Sequence, residues 1–150
     1  MPPLRTTPQH RPRGVGVLAW LRLARVHQKV ERTAMEHLRQ WNVSVPQFDI
    51  LAHVGAAEGI TQQELTVARL TTKGNLSQIL DHMERDGIVR RERDGHLKRI
   101  WLTDAGRQLF AEVVPAHEAL ITEQLSALAP VDQDRLLRLL RSLDRRLRPG

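Results

Sequence analysis

The stretch TTKGNLSQILDHMERDGIVRRERDGHLKR, residues 71–99, decides the fold. It opens on small polar residues and then places Leu76, Ile79, Leu80 and Met83 at the i, i+3, i+4, i+7 spacing of one helix face. Thr72 is the candidate N-cap of that helix, and Asp86-Gly87 closes it after Arg85. Residues 88–93 and 97–103 then flank Asp94-Gly95, a strong short-range signal for a two-stranded hairpin. Fixing the apolar stripe also fixes the opposite face. Lys73, Gly74, Asn75, Ser77, Gln78, Asp81 and His82 are expected to point outward.

Working outward, Thr61 with Glu64 three residues on has the capping-box spacing for a short helix just upstream. Two short helices joined by a tight turn and followed by a hairpin make a winged helix-turn-helix. Before them, Val15, Leu18, Ala19, Leu23, Val26, Val30, Ala34, Leu38 and Trp41 recur at three- and four-residue steps, predicting one long amphipathic helix that ends near Asn42. Ser44-Val45-Pro46 reads as the start of a second helix running to about Ala57. After the hairpin, Thr103-Asp104 starts a long fifth helix, and a leucine-striped sixth runs over residues 131–147.

The expected fold is therefore mainly α with a small β-hairpin wing. A single unit over residues 15–150 is expected, with the winged lobe at 46–103 flanked by helical segments at 15–45 and 104–150. Four prolines in the first twelve residues make 1–14 a flexible arm. The first and last two helices carry more apolar surface than the lobe can cover. Homodimerisation through them is expected, with an intramolecular bundle as the alternative.

Charge points the same way as the motif. The chain has 23 Lys plus Arg against 17 Asp plus Glu, a net charge of +6, which favours polyanionic partners. The excess clusters at residues 1–13, 88–99 and 135–148. The absence of cysteine excludes disulfides, thiolate catalysis and cysteine-based zinc sites. No apolar run is long enough to span a membrane, and the N-terminus has no apolar core of the kind a signal peptide needs, so a cytoplasmic location is expected.

Short polar residues at a helix start suit entry into a DNA major groove, because small side chains permit close approach and the free N–H groups favour phosphate. Asn75 and Gln78 lie one turn apart, and each can pair two hydrogen bonds with adenine. A basic wing beside such a helix reaches the adjacent backbone or minor groove. The candidate DNA-binding residues are thus Thr72, Lys73, Gly74, Asn75, Ser77, Gln78 and His82 on the helix, with Arg91, Arg93, His96 and Lys98 on the wing.

ITQQELTVARLTTKGNLSQILDHMERDGIVRR, residues 60–91, followed by KRIWLTDAG, residues 98–106, resembles the multiple antibiotic resistance regulator (MarR) family of winged helix-turn-helix transcription regulators. With the flanking helices the resemblance extends over residues 15–147. It implies a homodimer whose terminal helices interlock and whose two lobes straddle a pseudo-palindromic double-stranded operator, acting mostly as a repressor. Two features depart from the family pattern. Gln78 stands where the family often carries arginine, and the wing is shorter, with Asp94-Gly95-His96 at its tip. Arg93 is then the candidate to reach a groove, with Asp94 holding a wing arginine in place.

The resemblance also implies a small-molecule effector, often an aromatic or phenolic acid, where the dimer helices meet the lobe. Trp20, Arg25, His27, Phe48, Asp49 and His53 are the candidate lining. Enzymatic function is not expected: there is no Gly-rich phosphate loop after a strand and no His-x-x-x-His pair. No cofactor is expected, and no metal site is assigned. The alternative of histidines gathered by the fold would draw on His27, His53 or His117 with Glu112. A second functional reading is a ligand-independent DNA-binding or architectural protein of the same fold.

Overall fold

In the computed structural model, which describes residues 14–69 and 73–147, several helix starts are set by the caps that the sequence advertises. Helix α1 spans Val15–Leu38 and tightens into a 3₁₀ turn over Arg39–Trp41. Asn42 closes it in the left-handed region, φ 55°, where a short polar side chain is tolerated. Ser44 and Gln47 form a reciprocal capping box for α2, Val45–Ala56, and Thr61 with Glu64 does the same for α3, Gln62–Arg69. Helix α4 covers Lys73–Arg85. Its expected cap, Thr72, and the arm at 1–13 lie outside the described residues.

Strands β2, Val89–Asp94, and β3, Leu97–Leu102, form the expected hairpin. The turn falls one residue later than Asp94-Gly95. Asp94 pairs with Leu97, leaving Gly95 and His96 as the loop, with positive φ at Gly95 alone. That is the pattern of a II′ turn, which needs glycine only at the first central position. The sequence reading missed a third strand, β1, Ile60–Thr61, which pairs antiparallel with β3 to give the order β1-β3-β2. Two residues are too few for any periodicity, and Thr61 announces itself only as a cap. Helices α5, Asp104–Leu125, and α6, Pro130–Arg146, complete the chain.

Two apolar clusters organise these elements. The lobe core gathers Ile50, Leu51 and Val54 of α2, Leu65 of α3, Leu76, Leu80 and Met83 of α4, and Val89, Ile100 and Leu102 of the hairpin. Leu76 and Leu80 are wholly buried, so truncating either to alanine is expected to cost ~2–5 kcal/mol. The second cluster joins Leu38, Phe48, Val113 and Val114, and Leu109 with Phe110 packs against both. The N-terminal half of α1 is left uncovered: Val15, Leu18, Trp20 and Val26 are exposed, as are Leu139, Leu140 and Leu143 of α6. The apolar stripes of these two helices thus stay largely exposed in one chain.

The lobe is joined to α5 through a tight seam. Thr103 Oγ1 accepts from Gly106 N at 3.0 Å and reaches the carbonyls of Gly87 and Ile88, while Leu102 N and Arg107 both donate to the Glu58 carboxylate. The hydrogen bond from Arg107 holds Glu58 below its ordinary pKa, outweighing the desolvation that opposes it. A Cβ on Gly106 would overlap the Ile88 carbonyl oxygen, a backbone atom that cannot swing aside. Gly106→Ala is therefore expected to destabilise the fold by about 1–3 kcal/mol, read as a lowered midpoint in urea; an unchanged midpoint would show that the seam can open without cost.

Candidate nucleic-acid interface

The apolar seat of α4 turns the opposite face to solvent. Gly74, Asn75, Gln78 and His82 are exposed and Ser77 is half-buried beside the wing. Lys73 stands at the head of the helix. The small residues expected at the approach are thus present along one line, and the exposed amides follow one turn apart.

The strand register sorts the wing residues onto two faces. Val89, Arg91 and Arg93 pair with Leu102, Ile100 and Lys98, so these six share the face that looks toward α4. Arg90, Glu92 and Asp94 share the other with Leu97, Arg99 and Trp101. On that far face the cations are used internally. Arg90 pairs with Glu92 and lies 5.4 Å from the Trp101 ring centroid, and Arg99 donates to Asp94 at 2.8 Å and to the Gly59 carbonyl at 2.9 Å. Asp94 thereby holds a wing arginine, Arg99, in place.

On the near face Arg91 is tied to α4. Its guanidinium pairs with Asp81 and Glu84 of α4, its backbone N–H donates to Glu84 at 3.1 Å, and its side chain is only 17% exposed. Partial burial works against its charge, but the hydrogen bonds to the two carboxylates prevail and raise its pKa. The hydrogen bond from Arg91 likewise holds Asp81 below its ordinary 3.8. With the folded-state value depressed, this tie is in place above that pH and is lost only as acid carries Asp81 below its folded pKa. Arg91 is a clasp between recognition helix and wing.

Arg93 and Lys98 remain. Both are exposed, neither has an ion-pair partner among the described residues, and they sit directly opposite each other across the ladder. Like charges in that position oppose folding by a few tenths to about 1 kcal/mol. With exposed His96 at the tip, they edge a cleft that Ser77, Asp81 and Arg91 close on the α4 side. A basic edge beside a small, polar helix face is what a polyanion with grooves would meet.

A model of the MarR family matches residues 41–100 of this chain, which hold the helix-turn-helix and most of the wing. Over 131 residues the chain is 30% identical to the transcriptional regulator HosA of Escherichia coli, covering 82% of this chain and 96% of that one. The chain belongs to the MarR family. MarR proteins are DNA-binding transcriptional regulators, and this member carries the winged helix-turn-helix throughout. Its fold is similar to that of AbsC from Streptomyces coelicolor, a MarR family regulator, at a TM-score of 0.84 with 24% identity, covering 94% of this chain and 100% of AbsC. It is also similar to MepR of Staphylococcus aureus in a DNA complex, at a TM-score of 0.79 with 20% identity over 91% and 100% of the two chains.

The residues expected to line an effector site divide. Phe48, buried, stacks on His117 with ring centroids 4.1 Å apart, and the half-buried Asp49 and His53 lie on the same helix, where the His53 ring donates to the Asp49 carbonyl at 2.7 Å. Burial lowers the His117 pKa, with Asp49 opposing and His37 adding to the effect. Nδ1 of both His37 and His117 is buried without a hydrogen-bond partner among the described residues. His37 was not singled out from sequence; its place one turn before Trp41, whose ring it meets edge-on, was the available signal. Trp20 and His27 do not join this group. They lie 18 and 11 residues before Leu38, roughly 27 and 16 Å up α1, and Trp20 instead faces Leu140 and Leu143 of α6 across a shallow groove. The exposed Arg25 lies on the same distant part of α1. Nor are His27, His53, His117 and Glu112 gathered around a common point: among the described residues no group of three acidic or histidine side chains is placed to hold a metal ion.

Arg91 and Arg93 should separate cleanly in binding assays. Arg93→Ala is expected to weaken all DNA binding and to lower the slope of log K against log salt by about one, as loss of one phosphate contact requires. Arg91→Ala is expected to weaken binding through a loosened wing while leaving the slope unchanged. A slope lowered equally by both substitutions would make Arg91 a phosphate contact instead of a clasp.

Proposed function

We propose that this MarR protein is a homodimeric, sequence-specific repressor of transcription that releases its operator when a small ligand binds. The observation that carries the reading is the pairing of an outward polar α4 face with the unneutralised Arg93 and Lys98 on the adjoining wing face. In this reading Asn75 and Gln78 read base edges, supported by Gly74, Ser77 and His82, by Lys73 at the helix start, and by Thr72, which lies outside the described residues. Arg93, Lys98 and His96 engage phosphate or the minor groove. Arg91 contributes by holding the wing against α4.

The division of labour follows the two clusters. Residues 46–103 form the lobe, while 15–45 and 104–150 supply the dimer contacts, with the uncovered stripes of α1 and α6 meeting their copies. A two-fold dimer presents its recognition helices to half-sites about one helical turn, ~10 bp, apart. That MepR, a protein of similar fold, has been solved in a complex with DNA supports DNA binding by this fold. Ligand release would draw on the buried ring cluster of His37, Phe48 and His117 with Asp49 and His53, not on Trp20 or His27. To act, a ligand must bind one spacing of the lobes better than the other.

Selection from random duplexes tests the central reading. It is expected to return a pseudo-palindrome bound by two chains, whereas recovery of composition bias alone would leave an architectural DNA-binding protein. On the selected site, Asn75→Ala or Gln78→Ala should cost ~1–3 kcal/mol while sparing non-specific binding. Equal losses on cognate and random DNA would remove these two residues from base recognition.

A further inference from the structure

The outer face of α1 carries a stripe of unneutralised cations. Arg25, Lys29 and Arg32 stand at i, i+4 and i+7 and so share one face, while the half-buried Leu23 and Val30 and the buried Ala34 mark the inward one. All three cations are exposed, and none has an ion-pair partner among the described residues. We propose that this stripe is a second phosphate-contacting surface, seating the DNA strand that borders the recognition helix on the side away from the wing.

Two shallow grooves carry the surface from α4 to this stripe. One runs between Asn75, Gln78 and His82 of α4 and Ser44, Pro46 and Gln47 at the start of α2. The other runs between the same Ser44 and Pro46 and Gln28, Arg32 and Met35 of α1. The shared residues join the grooves into one ledge, and the ledge borders α4 on the flank away from the wing. Ser77 and Asp81 line the wing cleft on one side of the helix, whereas Asn75, Ile79 and His82 line the ledge on the other.

A helix lying in a major groove has a phosphate backbone on each side, because the groove is a channel ~12 Å wide between the two strands. Arg93 and Lys98 stand beside one of these backbones, and the ledge faces the other. From Arg25 to Arg32 the helix rises ~10 Å, over which one strand of duplex carries roughly three phosphates, so the three cations match that run of charge. The nearby acids do not cancel them: Glu31 lies 4.0 Å from the His27 ring, and Glu36 is in no ion pair among the described residues. The start of α2 adds the positive end of a helix to the ledge. Its capping box already uses the N–H groups of Ser44 and Gln47, so the cations of α1 carry the contact. The inference rests on the reading above in which α4 enters the major groove.

Full-length protein combining Arg25→Gln, Lys29→Gln and Arg32→Gln tests this on the selected duplex and on a random-sequence duplex of the same length. The slope of log K against log salt is expected to fall by about two to three on both, and Arg32→Gln alone should lower it by about one. The urea midpoint should not move, since all three side chains are exposed. Methylphosphonates placed one at a time along each strand locate the contact. The combined variant should lose sensitivity on one border of the major groove, and Arg93→Ala on the opposite border. The proposal is overturned if both variants lose sensitivity on the same strand or if the combined variant keeps the parent's slope. A kept slope with weakened association between chains would make the stripe a contact between copies. A kept slope with Arg93→Ala still lowering its own removes this surface alone, whereas slopes kept in both variants remove the docking of α4 and the wing as well. The random duplex makes the test independent of whether selection returns a pseudo-palindrome.

Discussion

The seating of Leu76, Leu80 and Met83 against α2 and α3 is the constraint from which the interface follows. Each buried side chain of this size contributes ~1.5–3 kcal/mol, whereas an exposed ion pair contributes ~0–1 kcal/mol. Packing therefore sets the rotation of α4, and the ion pairs to Arg91 trim the wing onto a helix already placed. A slip of one residue would turn the helix face by about 100° and bring Asn75 or Ser77 toward the core. The polar face is outward because no other rotation buries the leucines.

The wing shows the reverse balance. Arg93 opposite Lys98 is a pairing that folding alone would not choose, while Arg90, Arg91 and Arg99 on the same hairpin all have partners. In the proposed reading, this pair, set beside three arginines that do have partners, is the charge left for DNA. The short II′ turn at Gly95-His96 keeps these two cations close to α4. A longer wing would carry its charge farther from the recognition helix.

Much of this was legible in the sequence because caps and stripes are local signals. Thr61 with Glu64, Ser44 with an early proline, and Leu76 to Met83 each declare an element within a turn or two. What was not legible depends on contacts distant in sequence. Strand β1 exists because Gly59 N donates to Ile100 O and Ile60 pairs with Ile100, forty residues on. The role of Arg91 depends on Asp81 and Glu84 facing it from another element, so the arginine count of the wing could not separate clasp from contact. The one-residue shift of the turn follows from Gly95 occupying the first loop position, where Asp-Gly had suggested the second. Trp20 and Phe48 lie on helices adjacent in sequence, and the length of α1 keeps them apart.

Amide hydrogen exchange on the protein with and without its selected duplex tests the account most directly, because three basic segments compete for the role of DNA interface. The account predicts slowed exchange at the start of α4, residues 73–79, and around the wing tip, residues 93–98. The arginine-rich α6 should show no change on adding DNA. Protection confined to α6, with α4 and the wing tip unaffected, would contradict it.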